Sequence, residues 1–338
     1  MRRTLAMCYG FVFAVSITLG RTMKIGMITD SLPDADFDTM LQVAARLEMD
    51  MLEFGCGNWS SAPHLDLDGM LESAQARREF RARLDAHGIG ISALNCSGNP
   101  VHPGEAGRRH DEVTRKTIRL AGVLDVDRVV MMSGCPGAPG DSHANWITTE
   151  WPPEVREVLR WQWDEVLIPY WRRLVAYARE QGVHRLCLEL HGFQNVYNVA
   201  TLKRLRDAVG ETVGANLDPS HLMWMGADPL AAAKALDGAI YYVHAKDTRI
   251  DPVNAGVNGV IDTIPGSDFK ARSWSYITLG LGHGEAWWHQ FVAALANAGY
   301  DGVLSIEHED PAMSAEEGVE KSVELLRRVI VNRPQRAH

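Results

Sequence analysis

Eight times along this chain a short apolar or β-branched run gives way to a longer segment with helical spacing, and few architectures accept that alternation. The runs are KIGMIT (24–29), MLEFG (51–55), GISALN (90–95), RVVMMS (128–133), RLCLEL (185–190), TVGANL (212–217), AIYYVHAK (239–246) and VLSIEH (303–308). Helical candidates between them include 36–47, 71–86, 108–124, 165–181, 200–209, 229–235, 286–298 and 315–329. A repeated strand–helix unit joins parallel strands through crossovers, so the chain reads as α/β. Eight units close into a (β/α)8, or TIM, barrel, typically of about 250 residues, and 338 leave room for enlarged loops. An open sheet is the alternative, but no G-x-G-x-x-G follows the first run, which removes its dinucleotide-binding form.

The first 22 residues stand apart. MRRTLAMCYGFVFAVSITLG has two arginines and then an apolar run the length of a signal-peptide core, without a clear small-x-small cleavage site. It is too short for a firm membrane span. The other reading is an over-called start, with translation beginning at Met23. The expected organisation is therefore an extension at 1–22 and a single domain at 23–338. Five scattered cysteines, with no C-x-x-C pair, give neither a disulfide framework nor a thiolate zinc site, so a reducing, cytoplasmic setting is expected. The formal charge of −9 disfavours a sequence-blind grip on nucleic acid or an anionic membrane.

In such a barrel the carboxyl ends of the strands build the site. Four consecutive runs end in strong metal ligands: Glu189 in LELHG, Asp218 in NLDPSH, His244 in YVHAKDT and Glu307 in SIEHED. Any one alone reads as readily as a helix cap or an ion-pair partner. Neighbouring strands lie about 5 Å apart, so four such side chains turned inward can meet at one point. Three carboxylates and an imidazole suit one divalent cation, Mn²⁺ first and Mg²⁺ or Co²⁺ as alternatives, better than a structural zinc. Bound beside a carbonyl, such a cation eases removal of the adjacent carbon-bound proton through an enediolate. Glu189 and Glu307, on opposite flanks, are then the candidate bases.

Secondary candidates surround these. His191 shares the facing of Glu189 if the strand persists and is otherwise a loop or capping residue; His221, after Pro219, is placed to bond a substrate hydroxyl. Lys246 and Asp247 orient His244 or pair with each other. His143 is a general acid from the loop above or an exposed loop residue, and Glu53 and Asn95 line the pocket floor or pack its rim. Two connections are long, 134–163 and 248–285, and such loops in compact domains are usually functional or ordered by a partner. Of ten tryptophans, Trp146, Trp151, Trp161 and Trp163 fall on the first of them, where indoles stack on sugars or fill subunit interfaces. Trp161 and Trp163 sit closest to the following helix and are expected to pack against it.

The succession of Glu, Asp-Pro-x-His, His-x-Lys-Asp and a closing Glu resembles the xylose isomerase-like barrel superfamily of sugar phosphate isomerases and epimerases, over about 23–330. The resemblance implies a metal-dependent carbohydrate isomerase or epimerase, with Glu189, Asp218, His244 and Glu307 as ligands and His221 on a substrate oxygen. GLGHGEAW (280–287) is similar to the Gly-rich turn before the seventh helix of these proteins. The later strands carry no compact basic clamp, which favours an unphosphorylated sugar. NCSGNPVHPG (95–104) and the aromatic loops look similar to the catalytic subunits of bacterial C-glycoside deglycosidases, which implies a lyase on a 3-oxo sugar with a small partner subunit. Without that subunit, a homo-oligomer with a small-molecule carbohydrate substrate is expected. An apurinic endonuclease, with three zinc ions and a DNA surface, conflicts with the acidic charge, and a scaffold or sugar-binding subunit is the non-catalytic alternative.

Overall fold

The computed structural model describes residues 19–21 and 23–334. Its eight parallel strands are β1 (Lys24–Ile28), β2 (Met51–Gly55), β3 (Gly90–Asn95), β4 (Arg128–Met131), β5 (Arg185–Glu189), β6 (Val213–Asn216), β7 (Ile240–Ala245) and β8 (Val303–Ile306). β8 pairs with both β7 and β1, so the sheet closes into a TIM barrel and has no free edge. The strands are apolar almost throughout because one face meets the barrel interior and the other the helices. Several sequence runs extend beyond their strands: β6 stops at Asn216 and β8 at Ile306, and after one more backbone bond to β7 from each, Leu217 N to Tyr242 O and Glu307 N to Ala245 O, the chain turns away to build the mouth. Register breaks fall at Leu52/Glu53 against β3 and Ala215/Asn216 against β7, and such breaks re-aim the side chains beside them.

The helical layer is α1 (Phe37–Arg46), α2 (Leu67–Glu72), α3 (Ala74–Ala86), α4 (Glu105–Val123), α5 (Glu154–Trp161), α6 (Ile168–Glu180), α7 (Val199–Val209), α8 (Pro219–Trp224), α9 (Pro229–Ala235), α10 (Pro252–Asn258), α11 (Glu285–Asn297) and α12 (Ala315–Val329). The expected helix at 71–86 is split at Ser73, whose hydroxyl accepts from Ala76 N and starts α3. The one at 165–181 begins earlier, because α5 runs through a π turn, Gln162–Leu167, into α6. α5 carries a short apolar stripe, Val155, Val158 and Leu159, but buries none of these residues fully. An antiparallel ribbon, Asp247–Ile250 with Trp274–Ile277, rises from the mouth inside the second long connection.

Trp163, Trp171 and Trp288 are fully buried between barrel and helices, each side chain of this size contributing about 1.5–3 kcal/mol or more. Trp163 thus packs as expected, whereas Trp151 is exposed. At the back of the barrel α4 meets the end of α6 backbone to backbone, and a Cβ at Gly122 would overlap the Gln181 carbonyl. Cys56, Cys96, Cys135 and Cys187 are buried free thiols, and burial pushes the last three up to about 12. Cys8 lies outside the described residues, as do 1–18 and 22; Leu19–Arg21 pairs antiparallel with Asn332–Pro334. Among the described residues no helix is long and apolar enough to cross a membrane.

Candidate metal centre

β5 delivers Glu189 as its last residue and β7 delivers His244 as its penultimate one, while Asp218 and Glu307 stand just past β6 and β8. Asp218 is the N-cap of α8: Oδ1 accepts from Ser220 N at 2.7 Å and Pro219 occupies the first turn, which leaves Oδ2 free to face the barrel axis. One potential ligand atom from each of Glu189, Asp218, His244 and Glu307 lies within 4.8 Å of all the others.

These atoms are poorly satisfied by the protein alone. Asp218 Oδ2, His244 Nδ1 and Glu307 Oε2 are buried and form no hydrogen bond of good geometry, although Asp218 Oδ2 lies 3.1 Å from His221 Nε2, Glu307 Oε2 lies 3.3 Å from Lys246 Nζ, and His244 Nδ1 lies 3.0 Å from Glu307 Oε2 and 3.9 Å from Glu189 Oε1. Buried polar atoms normally find partners, and orphaned ones converging on one point demand an explanation. A divalent cation would supply it, and the mixed carboxylate–imidazole set fits one.

A cleft of about 220 Å³ opens beside the cluster. His221 lies on its wall with Nε2 2.7 Å from Glu189 Oε1 and 3.1 Å from Asp218 Oδ2, while Nδ1 meets the Tyr276 hydroxyl at 2.9 Å. Burial works to depress its imidazole, but Asp218 and Glu189 outweigh that and hold it at about 9. The His191 ring lies 4.1 Å from that of His221; burial, then the His221 charge, lower it to about 4, and its Nδ1–H donates to the Gly192 carbonyl. Lys246 Nζ reaches Glu309 at 2.8 Å and Glu307 at 3.3 Å and sits 4.2 Å over the Tyr276 ring. Burial opposes its charge, yet the two glutamates raise it well above the usual lysine value. Burial likewise opposes ionisation of Glu307, which Lys246 and His244 reverse.

Of the residues expected at the site, Glu189, Glu307, His191, His221, Lys246 and Asn95 line the cleft. Asn95 has its amide engaged, Nδ2 donating to Glu53 Oε1 at 2.8 Å and Oδ1 accepting from Ser97 N at 2.8 Å. His143 is not brought there: it is exposed and bonded only to the neighbouring Ser142 hydroxyl. Gln162 pins its loop from below, donating to the carbonyls of Pro136, Gly137 and Asn145. Asp247 pairs with neither Lys246 nor His244; it anchors the Gly-rich turn, accepting from the backbone N–H groups of Gly280, Gly282 and His283. Glu53 is fully buried below the cleft. Tyr276, Glu309, Trp59 and Asp30 are the residues sequence reasoning missed at this site. For Tyr276 the alternating WSYI stretch was the available signal, a short strand inside a segment read only as loop.

A family model described as xylose isomerase-like TIM barrel matches residues 41–329. The chain belongs to that family. A curated relative from Bacillus subtilis (strain 168), named uncharacterized protein YfiH, is 48% identical over 311 residues, covering 91% of this chain and 99% of its own. Among solved structures of the same fold is the probable 3-DHS dehydratase AsbF from Bacillus anthracis, with TM-score 0.62 and 15% identity over 90% of this chain and 99% of that one. The IOLI protein with a bound zinc atom has TM-score 0.62 and 19% identity over 91% and 98% of the two chains. A D-psicose 3-epimerase from Clostridium cellulolyticum H10, with D-tagatose, has TM-score 0.58 and 15% identity over 91% and 98%. At these identities the solved structures establish the xylose isomerase-like barrel and no more.

Proposed function

We propose that this xylose isomerase-like protein is a divalent-metal-dependent carbohydrate isomerase or epimerase that moves a proton on the carbon beside a carbonyl. The observation that carries the reading is the meeting of four ligand atoms within 4.8 Å at the mouth of the barrel, with three of them orphaned in the protein alone. Glu189, Asp218, His244 and Glu307 would hold the cation, Mn²⁺ by preference. When bound, it polarises a carbonyl oxygen and takes up the negative charge that develops there as the neighbouring carbon loses its proton.

The remaining work falls to the chain itself. Glu189 and Glu307 come from β5 and β8 on opposite flanks, so one carboxylate removes the proton and the other returns it. His221, held between Glu189, Asp218 and the Tyr276 hydroxyl, would donate to a substrate oxygen once those carboxylates turn to the cation, and Lys246, kept charged by Glu307 and Glu309, would hydrogen-bond an oxygen at the Glu307 side. Among the described residues the cleft is lined by Asp30, Glu189, Glu307 and Glu309 and by no arginine, while its one lysine is committed to two glutamates; an unphosphorylated sugar fits this better than a sugar phosphate. Both the D-psicose 3-epimerase and the zinc-bound IOLI protein support the reading by their shared fold.

The test is solvent-deuterium incorporation into a panel of free and 3-oxo sugars with Mn²⁺. Wild type exchanges and Glu307→Gln loses exchange by about 10²-fold or more while staying folded; full exchange in that variant removes Glu307 as a proton carrier. A lyase reading keeps the same ligands and first step. It is favoured by the buried cation of Lys246 beside the cleft, which would stabilise negative charge on a departing oxygen, and by the likeness to a probable dehydratase. Loss of mass from the product separates elimination from isomerisation.

A further inference from the structure

Below the cleft, outside the candidate ligand set, the carboxylate of Glu53 is fully buried inside the barrel and surrounded by donors from three other strands. Asn95 Nδ2, from β3, reaches Oε1 at 2.8 Å; Ser305 Oγ, from β8, reaches Oε2 at 2.8 Å; and His244 Nε2, from β7, lies 3.1 Å from Oε1 and 3.0 Å from Oε2. A carboxylate oxygen accepts, so Nε2 carries a hydrogen toward Glu53, and the lone pair that a cation would take is left to Nδ1. That is the atom facing Glu307 and Glu189.

We propose that Glu53 is a positioning residue that fixes the tautomer and ring orientation of His244, so that Nδ1 is presented to a cation. This rests on the reading of the cluster as a metal site. The physical case is that an imidazole at a metal centre is oriented by whatever its second nitrogen bonds, and such partners contribute to affinity almost as ligands do. Glu53 is itself held: Ser305 and Asn95 each bond a different oxygen, and Asn95 cannot turn its amide over without losing the bond from Ser97 N. The register break at Leu52/Glu53 falls at this residue, where a change of facing is needed.

Glutamine at 53 tests this with little change in volume. Its carbonyl oxygen goes to Asn95 and its NH₂ to Ser305, whose hydroxyl can accept; His244 then meets one acceptor and one donor where it had two acceptors. Mn²⁺ titrated calorimetrically into metal-free protein is expected to bind Glu53→Gln about 10- to 100-fold more weakly than wild type. Ser305→Ala, which leaves Glu53 and His244 in contact, is expected to change affinity by less than about 3-fold. In wild type, nitrogen NMR of His244 is expected to show Nε2 protonated, a readout that general destabilisation does not move and that needs no variant. Unchanged Mn²⁺ affinity in a folded Glu53→Gln protein, or an unprotonated Nε2 in wild type, overturns the proposal. Failure of wild type to bind Mn²⁺ overturns the metal site instead, and the tautomer then judges Glu53 alone.

Discussion

Replacing Asp247 by alanine is expected to unseat the mouth of the barrel while leaving the barrel itself closed. Asp247 is fully buried; Oδ2 accepts from Gly280 N at 3.1 Å, Gly282 N at 3.2 Å and His283 N at 2.9 Å, and Oδ1 accepts from Thr248 N at 2.9 Å and faces His283 Nδ1 at 2.8 Å. Alanine strands the Thr248 N–H in a fully buried position, about 1–3 kcal/mol, and exchanges three bonds to a carboxylate for partial hydration of the turn. Together these put the loss at about 3–5 kcal/mol. Asp247→Asn keeps one acceptor and is expected near half of that. Denaturant unfolding measures the stability, and amide exchange at Gly280, Gly282 and His283 reports the turn itself. Because the same residue begins the ribbon that carries Tyr276 against His221, deuterium incorporation should fall as well. A loss under about 1 kcal/mol with these amides still protected would refute the assignment of Asp247 as the anchor.

Gly122→Ala reverses the usual sign of a helical Gly-to-Ala change, which ordinarily stabilises by about 0.5–1 kcal/mol. Here the new Cβ meets the Gln181 carbonyl, so thermal unfolding should show a loss of about 1–3 kcal/mol, and a gain would remove the close approach of α4 and α6. Mn²⁺ at 100 times its dissociation constant should stabilise the metal-free protein by about 2.7 kcal/mol. Asp218→Asn, which still caps α8, should fold normally and lose that stabilisation; an equal stabilisation in the variant would take Asp218 out of the ligand set.

The barrel was legible because each strand is buried on both faces and each crossover helix carries a single apolar stripe, so the two periods alternate openly. The strands at 51–55 and 90–95 and the helices at 229–235 and 315–329 have the bounds read from sequence. Where the reading ran past a strand, as at Leu217 and His308, a further backbone bond to β7, from Leu217 N or Glu307 N, prolongs the extended chain beyond the regular ladder. Helices α5, α8 and α10 were not read: α5 and α10 bury no residue, and α8 has only six residues and begins beneath the cleft. His143 shows the limit for loops. A histidine in a long loop has no period to state its facing, and its position is set by Gln162, which bonds carbonyls 17 to 26 residues away.

The candidate ligands escape that limit for a topological reason. A closed parallel barrel brings every strand's carboxyl end to one rim, so ligand-type residues at four successive ends are neighbours in space whatever lies between them in the chain. Their supports have no such rule. Glu53 and His244 are 191 residues apart and belong to strands that do not pair with each other; they meet across the interior, on opposite sides of β1 and β8 in the strand order. Glu53 could therefore be read only as floor or rim. The same distance makes the contact consequential: a carboxylate buried at 0% exposure, given donors from β3, β7 and β8, ties the facing of His244 to the closure of the barrel. A slip of register at β2 would strip His244 of its second partner before it disturbed any ligand directly.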